Sequence, residues 1–161
     1  MALTPGQLQT LKTDILADPV LSQWAATGRM AQEIADAYNL PATPAWTVWR
    51  TSVTAVEWRA AIIGWGGAAQ LDALTASKRD SLLWAVSDVL NPSVAAIRAA
   101  LDDFCGSQNT LKAAIVAAEK RTATRGEKLF STGTGSTASP ATMGYEGTLT
   151  YQDVEAVLAL P

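Results

Sequence analysis

Residues 3–15 read LTPGQLQTLKTDI and carry the signals of a helix start. Thr4 precedes a proline, and Gln7 stands three residues after Thr4, which is the spacing of a capping box. Leu3 and Leu8 are placed to pack against each other across this cap. The stretch therefore predicts a helix that begins directly after Thr4.

The same start signal recurs along the chain, and the residues between the starts have helical spacing. The further pairs at capping-box spacing are Thr54 with Glu57, Thr124 with Glu127, and Thr150 with Asp153. Thr75 is predicted to open a helix of about 15 residues with a broad apolar face, which suggests burial on more than one side. These patterns predict a mainly α fold, a compact multi-helix domain.

Residues 130–147 read FSTGTGSTASPATMGYEG and differ from the rest of the chain. From Ser131 to Pro140 every residue is small or forms turns, and none is charged, so the segment lacks the apolar content to fold by itself. Two short β-type runs follow it. We therefore predict a helical domain over residues 1–130, an extended arm or β-hairpin over 131–150, and a short last helix over 151–161.

Composition limits the chemistry that the chain can carry. Its 161 residues have a formal net charge of −3, one cysteine and no histidine. Catalysis by serine or cysteine with an imidazole base is excluded, and so is the commonest set of zinc ligands. We predict no catalytic residue, no metal, no cofactor and no enzyme activity. The absence of a long apolar run or a signal-peptide pattern predicts no membrane partner.

Aromatic residues and the predicted arm supply the candidate interface. Trp46 and Trp49 lie in a proline-bounded stretch, where either core packing or contact with a partner explains them. The arm would contact neighbours by strand addition, because main-chain hydrogen bonds do not depend on side-chain charge. The candidate interface residues in it are Thr132, Thr134, Ser136, Met143, Tyr145 and Leu149.

A local excess of cations stands out in a chain that is acidic as a whole. The residues of this basic cluster are Lys112, Lys120, Arg121, Arg125 and Lys128. The pattern is typical of a solvated face. The alternative is a patch that faces an acidic partner or DNA without sequence specificity.

Several motifs together resemble a family of small structural proteins encoded in tailed bacteriophages and prophages. The motifs are LTPGQLQTLKTDILADP (3–19), VWRTSV (48–53), SKRDSLLWAVSDVLNPSVAAIRAAL (77–101) and KRTATRGEKLFSTGTGSTASPATMGYEGTLTYQDVEAVL (120–158). The resemblance covers most of the chain but carries over no catalytic residue.

The resemblance implies a virion protein of the neck or tail that is assembled in the host cytoplasm. The expected role is a head-to-tail adaptor that forms a homo-oligomeric ring beneath the portal, with the portal and other neck or tail proteins as partners. A tail or tail-tip component is the structural alternative. A cytoplasmic DNA-binding or regulatory phage protein is the alternative of another class.

Overall fold

The computed structural model describes residues 3–27, 30–64 and 66–161, and these residues are mainly helical, as predicted. The helices are α1 (Pro5–Ala17), α2 (Pro19–Thr27), α3 (Ala31–Asn39), α4 (Ala55–Gly64), α5 (Gly67–Asp72), α6 (Ala76–Ala85), α7 (Ala95–Cys105), α8 (Asn109–Ala118), α9 (Arg125–Leu129) and α10 (Tyr151–Leu158). The strands are β1 (Thr47–Trp49), β2 (Lys120–Thr122), β3 (Ser131–Thr132) and β4 (Thr142–Met143).

The chain divides into two compact units. The first unit combines the residues up to Val48 with those from Thr122 onward, and the second unit comprises Trp49–Arg121. The chain leaves the first unit within β1 and returns within β2, and these strands are neighbours in a two-stranded sheet.

The core of the first unit lies among α1, α3 and α10. Its fully buried residues include Leu11, Ile34, Tyr38 and Val154. The predicted capping boxes at Thr4, Thr124 and Thr150 are confirmed: each threonine accepts the main-chain N–H three residues later, and that residue's side chain accepts in return.

The core of the second unit lies among α4, α6, α7 and α8. Trp58, Leu82, Leu101 and Ile115 are buried in it. Glu57 accepts the main-chain N–H of Thr54 at 2.8 Å, so the predicted cap of α4 is present. The free thiol of Cys105 lies in the same core.

Helix α6 is shorter than predicted. It ends at Ala85, because the following residues turn and Leu90 pairs with Val53 through two main-chain hydrogen bonds of 2.9 and 3.1 Å. That pairing requires extended backbone at a position where a longer helix would have placed its last turn.

Residues 131–150 contain a β-hairpin, and the predicted short last helix is α10. The hairpin pairs the start of the 131–140 segment with the first of the two β-type runs predicted after it, and the second run forms no strand. Strands β3 and β4 are antiparallel, with Ser131 opposite Met143 and Thr132 opposite Thr142. The predicted boundary at residue 130 does not coincide with a boundary between the units, because Tyr145 and Leu149 share the first unit's core. No helix among the described residues is both long and apolar enough to cross a membrane.

Candidate functional site

The glycine and threonine segment between β3 and β4 is folded against its own unit. The carbonyl of Gly135 accepts the N–H of Thr47 at 2.7 Å, and the N–H of Ala141 donates to the carbonyl of Thr47 at 2.9 Å. Within the loop, Thr134 donates to the carbonyl of Ser139 at 2.9 Å. Main-chain pairing thus orders a segment that has almost no apolar side chains.

Trp46 is half-buried beneath this loop. Its indole N–H donates to the Ser131 hydroxyl at 2.9 Å. Gly135 has φ +62°, and a Cβ at this position would lie 2.1 Å from the Trp46 ring. Only glycine meets both requirements, the left-handed backbone and the close approach to the ring. Of the two interpretations of Trp46, the structure therefore favours packing.

The remaining candidate residues of the hairpin region differ in exposure. Thr132, Thr134 and Ser136 are exposed, and Met143 is half-buried against a small cluster around Val48. Tyr145 and Leu149 have only 4% and 3% of their surface exposed. These two side chains pack in the core of the first unit and offer no surface to a partner.

Leu149 is also held through its main chain. The side chain of Asn39 donates to the carbonyl of Leu149 and accepts its N–H, both at 2.8 Å. The segment before α10 is therefore fixed to the end of α3 by polar contacts as well as by apolar packing.

Trp49 is half-buried in the second unit among cations. The guanidinium of Arg98 lies 4.2 Å from the centroid of its ring, and the ammonium of Lys120 lies 5.2 Å from it. Both distances are within the range of cation–π contacts. The ring already has partners within its own unit.

The basic cluster is divided between the two units. Lys112, Lys120 and Arg121 belong to the second, and Arg125 and Lys128 to the first. Lys112 pairs with Asp102 at 2.6 Å. Arg125 is likewise paired with carboxylates, so the count of cations in the sequence overstates the uncompensated charge of the surface.

Arg125 joins three elements of the first unit. Its guanidinium lies 3.0 Å from a carboxylate oxygen of Asp14 and 3.0 Å from one of Asp18, and it lies over the ring of Tyr38. Tyr38 donates its hydroxyl proton to Asp14, and burial raises the pKa of that hydroxyl. Arg125 has a structural role here, and its charge is compensated by two carboxylates.

The second unit exposes large apolar side chains that the sequence reasoning did not select as a site. Trp84 is 79% exposed, Ile63 is 75% exposed and Val56 is 73% exposed. The signal in the sequence was the broad apolar face predicted for the helix after Thr75, which is typical of a helix covered on more than one side. Of the apolar residues in α6, only Leu82 is buried.

The interior of the second unit contains a carboxyl group whose negative charge is only partly compensated by neighbouring cations. Glu119 is 1% exposed, and its Oε1 has no hydrogen-bond partner. Burial raises the pKa of Glu119 to about 7, against the attraction of Arg98 and Lys120. Burial likewise raises the pKa of the Cys105 thiol to about 11, which disfavours the reactive thiolate.

The described residues contain no group of three or more histidine, cysteine or acidic side chains arranged to hold a metal ion. Comparisons with protein-family models, with curated proteins and with solved structures find no match for this chain.

Proposed function

We propose that the chain is a structural protein of the tailed-bacteriophage virion, a head-to-tail adaptor that forms a ring beneath the portal. The observation that carries the proposal is the exposure of Trp84, Ile63 and Val56 on the second unit. Large apolar side chains left exposed on a surface are a feature of many contact sites between proteins. The resemblance of the sequence motifs to phage structural proteins supplies the class of assembly.

The composition supports a protein whose role is to bind other proteins. Only 17% of its residues are charged, which is low for a surface that faces water throughout. Six of the ten large apolar side chains that are exposed among the described residues belong to the second unit, although that unit is the smaller. A partner bound to the second unit would bury these exposed apolar side chains.

The proposed mode of contact uses the second unit and leaves the hairpin region aside. The loop between β3 and β4 forms its main-chain hydrogen bonds with Thr47, and Tyr145 and Leu149 lie in the core. Reaching a neighbour with this segment would require these contacts to break. Exposed apolar helix faces need no such rearrangement.

We propose neither an enzyme nor a DNA-binding protein. The sequence has no histidine, and Cys105 is buried. Arg125, which would be central to a DNA-binding patch, is compensated by Asp14 and Asp18. Nothing in the geometry favours these alternatives over a contact protein.

Quantitative peptide mass spectrometry on purified phage particles tests the proposal. Intact virions and detached tails are measured separately, with the portal protein as the internal standard. A copy number near that of the portal, retained with the head and neck, is the expected result. Retention with detached tails would assign the protein to the tail instead of the neck. Absence from particles would contradict a virion role altogether.

A further inference from the structure

Two apolar grooves lie along the end of α6 in the second unit. The first has a volume of about 350 Å³, and Trp84, Val89, Ile97 and Phe104 are among the residues that line it. The second has a volume of about 380 Å³ and is lined by Ile63, Leu71 and Leu83 among others. The two sets of lining residues share no member, so these are two separate surfaces.

Each groove has one charged residue in its lining, and the two charges are opposite. Asp88 lines the first groove, which we call the acidic groove, and Arg59 lines the second, which we call the basic groove. Both residues are exposed. Each would place its charge beside a partner's apolar side chains.

Neither charge is compensated within the second unit. Other charged side chains there form ion pairs, such as Arg50 with Glu57 at 2.5 Å and Lys78 with Asp103 at 3.0 Å. Among the described residues of the second unit, Arg59 and Asp88 form no ion pair, a state that they share with Asp72, Arg98 and Glu119, none of which lines either groove.

We propose that the surface around the acidic groove of one copy of this chain packs against the surface around the basic groove of the next copy, with Arg59 against Asp88 and the exposed Trp84 side chain filling the apolar space between them. The occupant is a second copy because this one unit carries both halves of a complementary pair, in apolar surroundings and in charge. Opposite charges set the register of such a contact, and the apolar side chains supply its affinity.

A contact between two different grooves is head-to-tail. Each copy of a pair then keeps one of its two grooves free for a further neighbour, so the contact repeats until a ring closes or a filament grows. This inference rests on the proposed function, since a ring adaptor needs such a repeating contact. It adds which surfaces form that contact.

Exchange of the two charges in the full chain tests the pairing. Analytical ultracentrifugation over a range of concentrations measures self-association of the parent, Arg59→Asp, Asp88→Arg and the double variant. Each single reversal is expected to weaken association by about tenfold or more, because it brings like charges together. The double variant restores the opposite pair and is expected to return to within about threefold of the parent.

Two further variants test the apolar centre. Trp84→Ser is expected to weaken association by about thirtyfold, since exposed tryptophans dominate interfaces of this kind. Tyr151→Ser in the first unit removes another exposed aromatic side chain and is expected to leave association unchanged. Glu155→Arg, an exposed carboxylate of the first unit, is the matched control for Asp88→Arg.

The outcomes separate this inference from the proposed function. A parent that stays monomeric, a limiting mass of two copies, or a double variant that is folded yet fails to recover would overturn the head-to-tail contact. Circular dichroism confirms folding of each variant. The particle measurement is independent. If the chain is found in virions but the charge-reversed variants assemble as well as the parent, the proposed function stands and this interface is refuted.

Discussion

The two units of this chain differ in which polar and apolar groups they bury and which they expose. In the first unit, a loop with few apolar side chains is ordered by main-chain hydrogen bonds to Thr47, and Arg125 is compensated by Asp14 and Asp18. In the second unit, Trp84 and Ile63 are exposed while the Glu119 carboxyl is buried. The first unit thus satisfies these polar groups internally, whereas the second contains six of the ten large apolar side chains that are exposed among the described residues.

This difference changes where a partner should be sought. The glycine and threonine segment stands out in the sequence, but main-chain hydrogen bonds at Gly135 and Ala141 hold it to Thr47 of its own unit. The apolar helices α4 and α6 are less conspicuous in the sequence, and their outer faces are unpartnered among the described residues.

The largest effect is expected from Leu149→Asp in the first unit. The substitution places a carboxylate in a core where the native side chain is 3% exposed. The expected loss of stability is about 4 kcal/mol or more, from lost packing and an unpaired buried charge. Hydrogen exchange in α3 and α10 should accelerate, and the matched control Leu16→Asp, at an exposed position, should leave it unchanged. Unaltered exchange in Leu149→Asp would contradict the burial of this segment.

Gly135→Ala is expected to have the next largest effect. The backbone conformation alone costs an alanine about 1–2 kcal/mol, and the new Cβ must displace the Trp46 ring. The expected results are a lower midpoint of chemical unfolding and a red shift of tryptophan emission. Gly6→Ala is the control, because a Cβ there meets nothing within 4 Å. Equal stability of the two variants would show that the loop does not lie over Trp46.

Glu119→Gln tests the buried carboxyl of the second unit. The folded pKa of about 7 lies above the ordinary value of 4.5, so the folded state holds a proton that the unfolded state releases between these pH values. The stability of the parent should therefore fall as pH rises from about 4.5 to about 7, and the loss should persist above that range. Glu119→Gln should abolish this dependence and stabilise the protein by about 2 kcal/mol at pH 8.

Urea unfolding at several pH values measures this effect. Glu57 provides an internal reference, because hydrogen bonds from the main chain of Thr54 and from Arg50 lower its pKa to about 2. Its contribution is lost only as pH falls below about 4.5, outside the window of Glu119. A parent whose stability is flat from pH 4.5 to 7 would refute a buried, uncompensated Glu119.

The smallest effect is expected from Arg125→Ala. The loss of two partly exposed ion pairs and one contact with Tyr38 should cost about 1–2 kcal/mol, and added salt should reduce the difference. Filter binding should detect no change in DNA retention at low salt, since the charge is compensated within the unit. Salt-sensitive DNA binding that disappears in this variant would revive the DNA-binding alternative.

Local signals in the sequence predicted much of the fold. The helix starts at Thr4, Thr124 and Thr150 were predictable because a capping box is formed by residues three positions apart. Helix α10 was predictable for this reason, whereas the prediction of a hairpin rested on β-type runs beside turn-forming residues. The partner of the glycine and threonine loop was not, because main-chain hydrogen bonds leave no trace in side-chain identity.

The exposed site was harder to predict than the fold. Periodicity showed that α6 is apolar on more than one side, but it does not tell which side the chain itself covers. Leu82 is buried, whereas Leu83 and Trp84, the next apolar residues of α6, are exposed. The division into two units was also hidden, since it depends on contacts between residues more than 100 positions apart, such as Asn39 with Leu149.

Hydroxyl-radical footprinting of assembled particles tests the central claim most directly. Trp84 and Tyr151 are exposed aromatic side chains, one in each unit, and both react readily with the radical in the free chain. On assembly, oxidation of Trp84 is expected to fall several-fold while that of Tyr151 stays at its value in the free chain. If Trp84 remained as reactive in particles as in the free chain, the second unit would not be the contact surface that we propose.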